Sequence, residues 1–167
     1  MAVLYIFSGL PAAGKSALSK LLAEKIKAAY LRIDTIEQGI RELCSFKVQG
    51  EGYRLAYRIA ADNLRRGVSV IADSCNPWEL TRKEWEKVAV ENNARYVNIE
   101  VICGDKTEHQ SRSETRTSEV PGLKLPGWRE ILAREYHPWT KDHILIDTAG
   151  KTPEQSFEEL LGRLGKG

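Results

Sequence analysis

Short apolar runs at residues 3–7, 31–33, 68–72, 97–103 and 144–146 are separated by stretches in which apolar residues recur at helical spacing. Runs this short, with helices between them, predict a parallel sheet packed between helices. The first helix is predicted over 17–29, with Ala17, Leu18, Leu21, Leu22, Ala23 and Ile26 on one face. Tyr53, Ala56, Ile59, Ala60 and Leu64 repeat that spacing before Gly67, which stops the helix. The fourth run alternates, Asn98 and Glu100 standing between Val97, Ile99 and Val101. One of its faces is therefore expected to be less fully covered. From about 104 to 139 the chain turns polar and arginine-rich, punctuated by Pro121, Pro126 and Pro138, which predicts an excursion over the site, a lid. A closing helix over 153–164 has Thr152 as N-cap and Pro153 in its first turn.

Composition narrows the class. At 167 residues the chain has the length of one domain, spanning 1–167, with enough residues to bury a core without metal or disulfide. Twenty-five Lys and Arg face 23 Asp and Glu, interspersed, so the charge balance disfavours a nucleic-acid or membrane-surface partner. Three cysteines, Cys44, Cys75 and Cys103, form no C-x-x-C pair and fit reduced thiols in the cytoplasm. No stretch reads as a signal sequence or reaches the ~20 apolar residues of a spanning helix. Monomer and homodimer both remain open.

Chemistry enters at residues 9–16, Gly-Leu-Pro-Ala-Ala-Gly-Lys-Ser, a complete G-x-x-x-x-G-K-S loop between the first apolar run and the first helix. Strand, loop and helix in this order aim backbone N–H groups and the helix N-terminus at one point, where a nucleotide's phosphates are held. The cradle comprises Gly9, Pro11, Ala12, Ala13, Gly14, Lys15, Ser16 and Ala17. Lys15 is expected to reach the β- and γ-phosphates and Ser16 to offer its hydroxyl to Mg²⁺. Ala12 occupies a position where a further glycine would relax the loop.

Ligands of a wound parallel sheet sit at the carboxyl ends of its strands. Two runs end in aspartate. Asp34 is placed to take the proton of an attacking hydroxyl, and with Glu37 three residues on it also reads as a capping-box start. Asp73 is expected beside the loop strand, orienting Mg²⁺. Arg112 and Arg116, four apart on a helix, put both guanidinium groups on one face. The histidines His109, His137 and His143 lack metal-ligand spacing and read as surface residues, and Trp128, Tyr136 and Trp139 as a packing face. Cys75 reads as pocket wall.

The loop, the strand-end Asp34 and the stretch Asp73-Ser74-Cys75-Asn76 with Arg82 six residues on together resemble the P-loop phosphotransferases. That group includes polynucleotide 5′-kinase domains, chloramphenicol phosphotransferase, gluconate kinase and adenylylsulfate kinase. The resemblance implies an α/β three-layer fold with a five-stranded parallel sheet ordered 2-3-1-4-5, ATP with Mg²⁺, and Asp34 as general base. It also implies that Asp73 and Asn76 line the floor of the acceptor pocket, that Arg112 and Arg116 fold over the β- and γ-phosphates, and that residues 148–151 border the base. One departure concerns Glu37, where polynucleotide and adenylylsulfate kinases carry an arginine for an anionic acceptor. An acidic side chain there points to a polyol-like or amine-bearing acceptor. The expected activity is transfer of the ATP γ-phosphate to a hydroxyl of a small molecule. A polynucleotide or nucleotide 5′-hydroxyl kinase and an ATP-binding switch or toxin-like module are the alternatives.

Overall fold

In the computed structural model, which describes residues 1–165, β1 (Val3–Ser8) lies at the centre of one sheet. On one side it pairs with β3 (Val70–Asp73), and β3 with β2 (Ala29–Arg32). On the other it pairs with β4 (Arg95–Ile102), and β4 with β5 (Ile144–Asp147). All four pairings are parallel and the order is β2-β3-β1-β4-β5, as expected.

Side-chain alternation along the strands makes two cores, one on each face. Leu4, Ile6, Val70 and Ala72 point to the face covered by α3 (Glu51–Arg65) and α4 (Glu79–Glu91), where Ala56, Ala60 and Trp85 are fully buried. The methyl groups of Ala56 and Ala60 let α3 lie close to the strands. Tyr57 meets Trp85 edge to face at 4.6 Å. Phe7, Ile71, Ile99, Val101 and Ile146 point the other way, onto Leu18 and Leu22 of α1 (Lys15–Ile26) and Leu160 of α7 (Pro153–Leu164). Thr152 caps α7 through a hydrogen bond from the Gln155 N–H and Pro153 opens it, as its sequence indicates.

Several boundaries differ from the periodicity reading. The first helix stops at Ile26, not Ala29, because Lys27 adopts a left-handed conformation (φ 54°) and Ala29 opens β2. The second strand ends at Arg32. Ile33 begins α2 (Ile33–Leu43), buried against the first core, so Asp34 lies in the first helical turn and does not close the strand. The capping box of Asp34 and Glu37 is absent: the N-cap is Arg32, in extended conformation, without a side-chain cap. The polar face of β4 is covered after all. Asn98 donates to Glu86 of α4, while Glu100 accepts from the Tyr136 hydroxyl and meets His143, both from the segment that precedes β5.

Between β4 and β5 run α5 (Lys106–Thr115), α6 (Trp128–Leu132) and irregular chain. Arg82 of α4 holds the end of that excursion. Its guanidinium, 3% exposed, donates to the carbonyls of Asn76, Pro77, His137 and Pro138 and lies over the rings of Tyr136 and Trp139. Backbone carbonyls and two ring faces thus take the place of a counter-ion. Among the described residues no helix is long and apolar enough to cross a membrane.

Candidate active site

The loop after β1 is shaped by three residues with positive φ. Gly9 (φ 141°) donates its N–H to the Cys75 carbonyl, and a Cβ there would stand 2.1 Å from the Val101 carbonyl oxygen. Only glycine fits. Gly14 (φ 102°) is the N-cap of α1. Ala12 holds φ 65°, a conformation that a side chain makes costly, so the constraint inferred from its alanine is real. His109 braces this loop: its Nε2–H donates to the Pro11 carbonyl at 2.8 Å while its ring meets Trp128 edge-on at 5.1 Å. It is buried, contrary to the surface role expected from its isolation in sequence. Lys15 is buried too, its ammonium donating to the Leu10 carbonyl at 3.3 Å.

A cleft of about 550 Å³ opens over the loop. Lys15, Ser16, Asp73, Asp34, Glu37, Arg112 and Arg116 all line it, so residues spread over a hundred positions of sequence share one space. Asp73 pairs in register with Phe7 of β1 and is 3% exposed. The Tyr30 hydroxyl donates to its Oδ2 at 2.6 Å. Burial, and then the Asp73 charge, raise the Tyr30 pKa well above the usual phenol value, so the phenol stays a donor. A serine hydroxyl and a carboxylate already fixed by a phenol form a hard oxygen donor set, which fits Mg²⁺.

Asn76 is placed differently from the expectation. It is fully buried, with φ 47°, and its amide donates to Ser8 Oγ at 3.0 Å; it shapes the turn after β3 and does not line the cleft. Cys75 forms pocket wall, as expected. Glu37 is held by Arg41 at 3.1 Å. Burial raises its pKa, Arg41 opposes the rise and Asp34 adds to it. With Arg41 alongside, Glu37 carries less of the anion-repelling charge that its position implied.

The lid lies across the cleft. Arg112 donates to the Thr148 hydroxyl at 2.7 Å and to its carbonyl at 2.9 Å, and pairs with Glu108. Arg116, the C-cap of α5, is half-buried, with Nε and one terminal nitrogen lacking a protein partner. Burial lowers its pKa, Asp34 opposes that, and Arg134 and Arg32 reinforce it. Such a guanidinium is poised for an anion. Beyond it, lid residue Glu119 accepts from Lys20 of α1 and, at 2.9 Å, from Arg32 at the end of β2. Gly122 at the lid tip (φ 74°) abuts Glu42 of α2, whose Oε1 a Cβ would meet at 2.1 Å.

Two further cavities adjoin. One of about 240 Å³ is lined by Ala12, Gly14, Arg112, Thr148, Lys151 and Ser156, beside the 148–151 stretch expected at the base. The buried Ser156 hydroxyl has no partner among the described residues. The other, about 820 Å³, lies between α3 and α4 and shares Asp34, Glu37, Cys75 and Arg134 with the phosphate-side cleft. Sequence reasoning missed Arg134. It follows α6 in irregular chain, where no periodicity marks a direction.

Residues 4–127 match the AAA_33 family, described as an AAA domain. Over 171 residues the chain is 28% identical to a Thermococcus gammatolerans protein named "Putative adenylate kinase", covering 96% of this chain and 84% of that one. It is 35% identical to the L-seryl-tRNA(Sec) kinase of Methanococcus maripaludis, covering 97% of this chain and 64% of the relative. The fold matches the Mycobacterium tuberculosis APS kinase solved with AMPPNP and APS, at a TM-score of 0.73 and 14% identity, covering 98% of each chain. A phosphate loop, a strand-end aspartate and a cationic lid around one cleft agree with those matches: the chain belongs to the AAA_33 family of AAA domains and is a P-loop kinase.

Proposed function

We propose that this kinase transfers the γ-phosphate of ATP to a hydroxyl of a small molecule. The observation that carries the reading is the convergence of Lys15, Ser16, Asp73, Asp34, Arg112 and Arg116 on one cleft, with a base-sized cavity on one side and a larger cavity on the other. The Gly9–Ala17 backbone and Lys15 hold the phosphates, and the base enters beside Thr148 and Ser156. Ser16 and Asp73 would hold Mg²⁺, which, when bound, neutralises charge on the phosphate oxygens. Asp34, exposed at the cleft wall between the phosphate-side space and the larger cavity, accepts the proton of the attacking hydroxyl. Arg116, with two nitrogens free, contacts charge developing on the transferred group, and Arg112 flanks it. The lid keeps water away, which limits unproductive hydrolysis. Ordered by these roles, Asp34→Asn abolishes acceptor-stimulated ADP release while MgATP binding persists; unchanged release removes Asp34 from catalysis.

A second reading, phosphorylation of a nucleoside monophosphate, has its own support. Arg41, Lys124 and Arg134 add cations to the cleft beyond the lid pair, and four relatives carry the name "Putative adenylate kinase". Assaying AMP beside uncharged alcohols, with ATP as donor, separates the two. ADP formation with AMP alone selects the second.

A further inference from the structure

The 820 Å³ cavity is unlike the phosphate-side cleft it opens into. Its body is formed by Ile33, Tyr53, Tyr57, Pro77, Trp78 and Leu80. Its charged groups nearly balance, Arg54, Arg58 and Arg134 against Asp34, Glu37, Glu84 and Glu135. Trp78 and Leu80 are 45% and 66% exposed, an unusual amount of large apolar surface for positions with no covering element. Tyr53 is tied down by the Asn76 N–H, which its hydroxyl accepts at 2.9 Å, and Tyr57 by Trp85, so two ring walls are fixed. Gly52 leaves the space that Glu37 occupies. The volume falls within the ~300–1,000 Å³ range of sites that enclose drug-sized ligands, and an apolar wall with a few convergent polar groups is their usual composition.

An open-chain polyol would leave those ring faces wet and gain nothing from them. We infer that the acceptor is an uncharged, hydroxylated compound with a planar ring system, its ring seated among Tyr53, Tyr57 and Trp78 and its hydroxyl presented to Asp34. This inference rests on the phosphotransfer reading and adds the acceptor's class. The geometry that orients the ligand is the shared wall: Asp34 belongs to both cavities, so a ring held between α3 and α4 can place a hydroxyl at the phosphate side without moving the lid. The transfer itself is balanced: the acceptor oxygen bonds the γ-phosphorus, the bond to the β-phosphate bridging oxygen breaks, ADP leaves, and the hydroxyl proton goes to the Asp34 carboxylate.

The test measures ADP release by the full chain with MgATP and a panel of nucleosides, aryl glucosides and phenylpropane diols. Open-chain polyols, AMP and 5′-hydroxyl oligonucleotides run beside them. Ring-bearing alcohols are expected to stimulate. Trp78→Ala is then expected to raise their KM about tenfold, as loss of one stacking face does, with Trp78→Phe restoring most of it. The loss falls on acceptor KM, and the MgATP Kd measured by calorimetry reports that the variant is folded. Stimulation confined to polyols, AMP or oligonucleotides overturns the inference, as does an unchanged KM in Trp78→Ala. MgATP binding with no response to any ring-bearing alcohol overturns it as well and leaves phosphotransfer standing. Failure of the wild-type chain to bind MgATP removes both.

Discussion

Ala12 shows how a single side chain sets the state of the phosphate loop. Its φ of 65° is one that a Cβ makes costly by roughly 1–2 kcal/mol, while glycine adds back about 0.4–1 kcal/mol of unfolded-state entropy. Ala12→Gly is therefore expected to raise the unfolding free energy by about 1 kcal/mol or less, read in urea melts; a clear loss would mean that the methyl group packs usefully. The reverse holds at Gly9, where neither φ nor the Val101 carbonyl tolerates a side chain. Arg116 is the other residue whose environment implies its task. A half-buried guanidinium with two nitrogens unpartnered among the described residues gains from an anion beside it, and Asp34 supplies part of that field. Arg116→Ala should lower kcat by ~10²–10³, the usual loss when one preorganised donor is removed, and change the ATP Kd far less. Steady-state turnover set against calorimetric binding decides it, and equal losses in both would reassign Arg116 to ground-state binding.

Where α2 packs on α3, Glu37 lies against Gly52, and a Cβ there would stand 2.3 Å from the Glu37 Cγ. Gly52→Ala is expected to cost about 1–3 kcal/mol, as overpacking does. In a Glu37→Ala background that cost should vanish, because the clash has one partner; thermal melts of the double-mutant cycle test the coupling. This contact was invisible in sequence, whereas the elements on either side of it were plain. Apolar periodicity found every strand and most of the faces of α1 and α3, since the Leu4, Ile6 and Ala56, Ala60 patterns depend only on which side faces the core; Ile26, placed on the α1 face, is exposed. Ends were harder. Lys27 turns the chain in a left-handed conformation that lysine does not advertise, and Ile33 is as apolar in a helix as in a strand, so Asp34 was assigned to the wrong element yet to the right cleft. Of the cleft lining, the phosphate loop and the Arg112 and Arg116 pair were legible from spacing, and Asp34 and Asp73 from the ends of apolar runs. Asn76, His109 and Arg134 depend on how loops cross, and Arg134 comes from a stretch with no period at all.

At the scale of the molecule, the lid is fastened to the far side of the cleft by charge. Glu119 accepts from Lys20 of α1 and Arg32 of β2, while Gly122 rests on α2. Glu119 is largely exposed, Lys20 and Arg32 less so, and the strap is expected to add little to global stability and to bias whether residues 117–126 cover the cleft. Screening shortens from about 10 Å at 0.1 M salt to 3 Å at 1 M, which should loosen exposed pairs and spare the buried core. Amide exchange of 117–126 is expected to quicken in 1 M NaCl, and Glu119→Gln in low salt should match that state without further response to salt. Acid acts with a definite sign. Hydrogen bonds from Lys20 and Arg32 hold the Glu119 carboxyl below its ordinary value near 4.5, so the strap is intact above that value and is lost as pH falls through the lowered one. Glu37 runs the other way, since burial raises its pKa and its ionised form disfavours the folded state as pH climbs through that value. A pH series of exchange rates, taken on the wild type and on Glu119→Gln, therefore isolates the lid: the two should differ above about 4.5 and converge only once pH has fallen through the lowered Glu119 value. Equal rates in both proteins at neutral pH and low salt would mean that the Gly122 contact with α2, and not the ion pairs, holds the lid down.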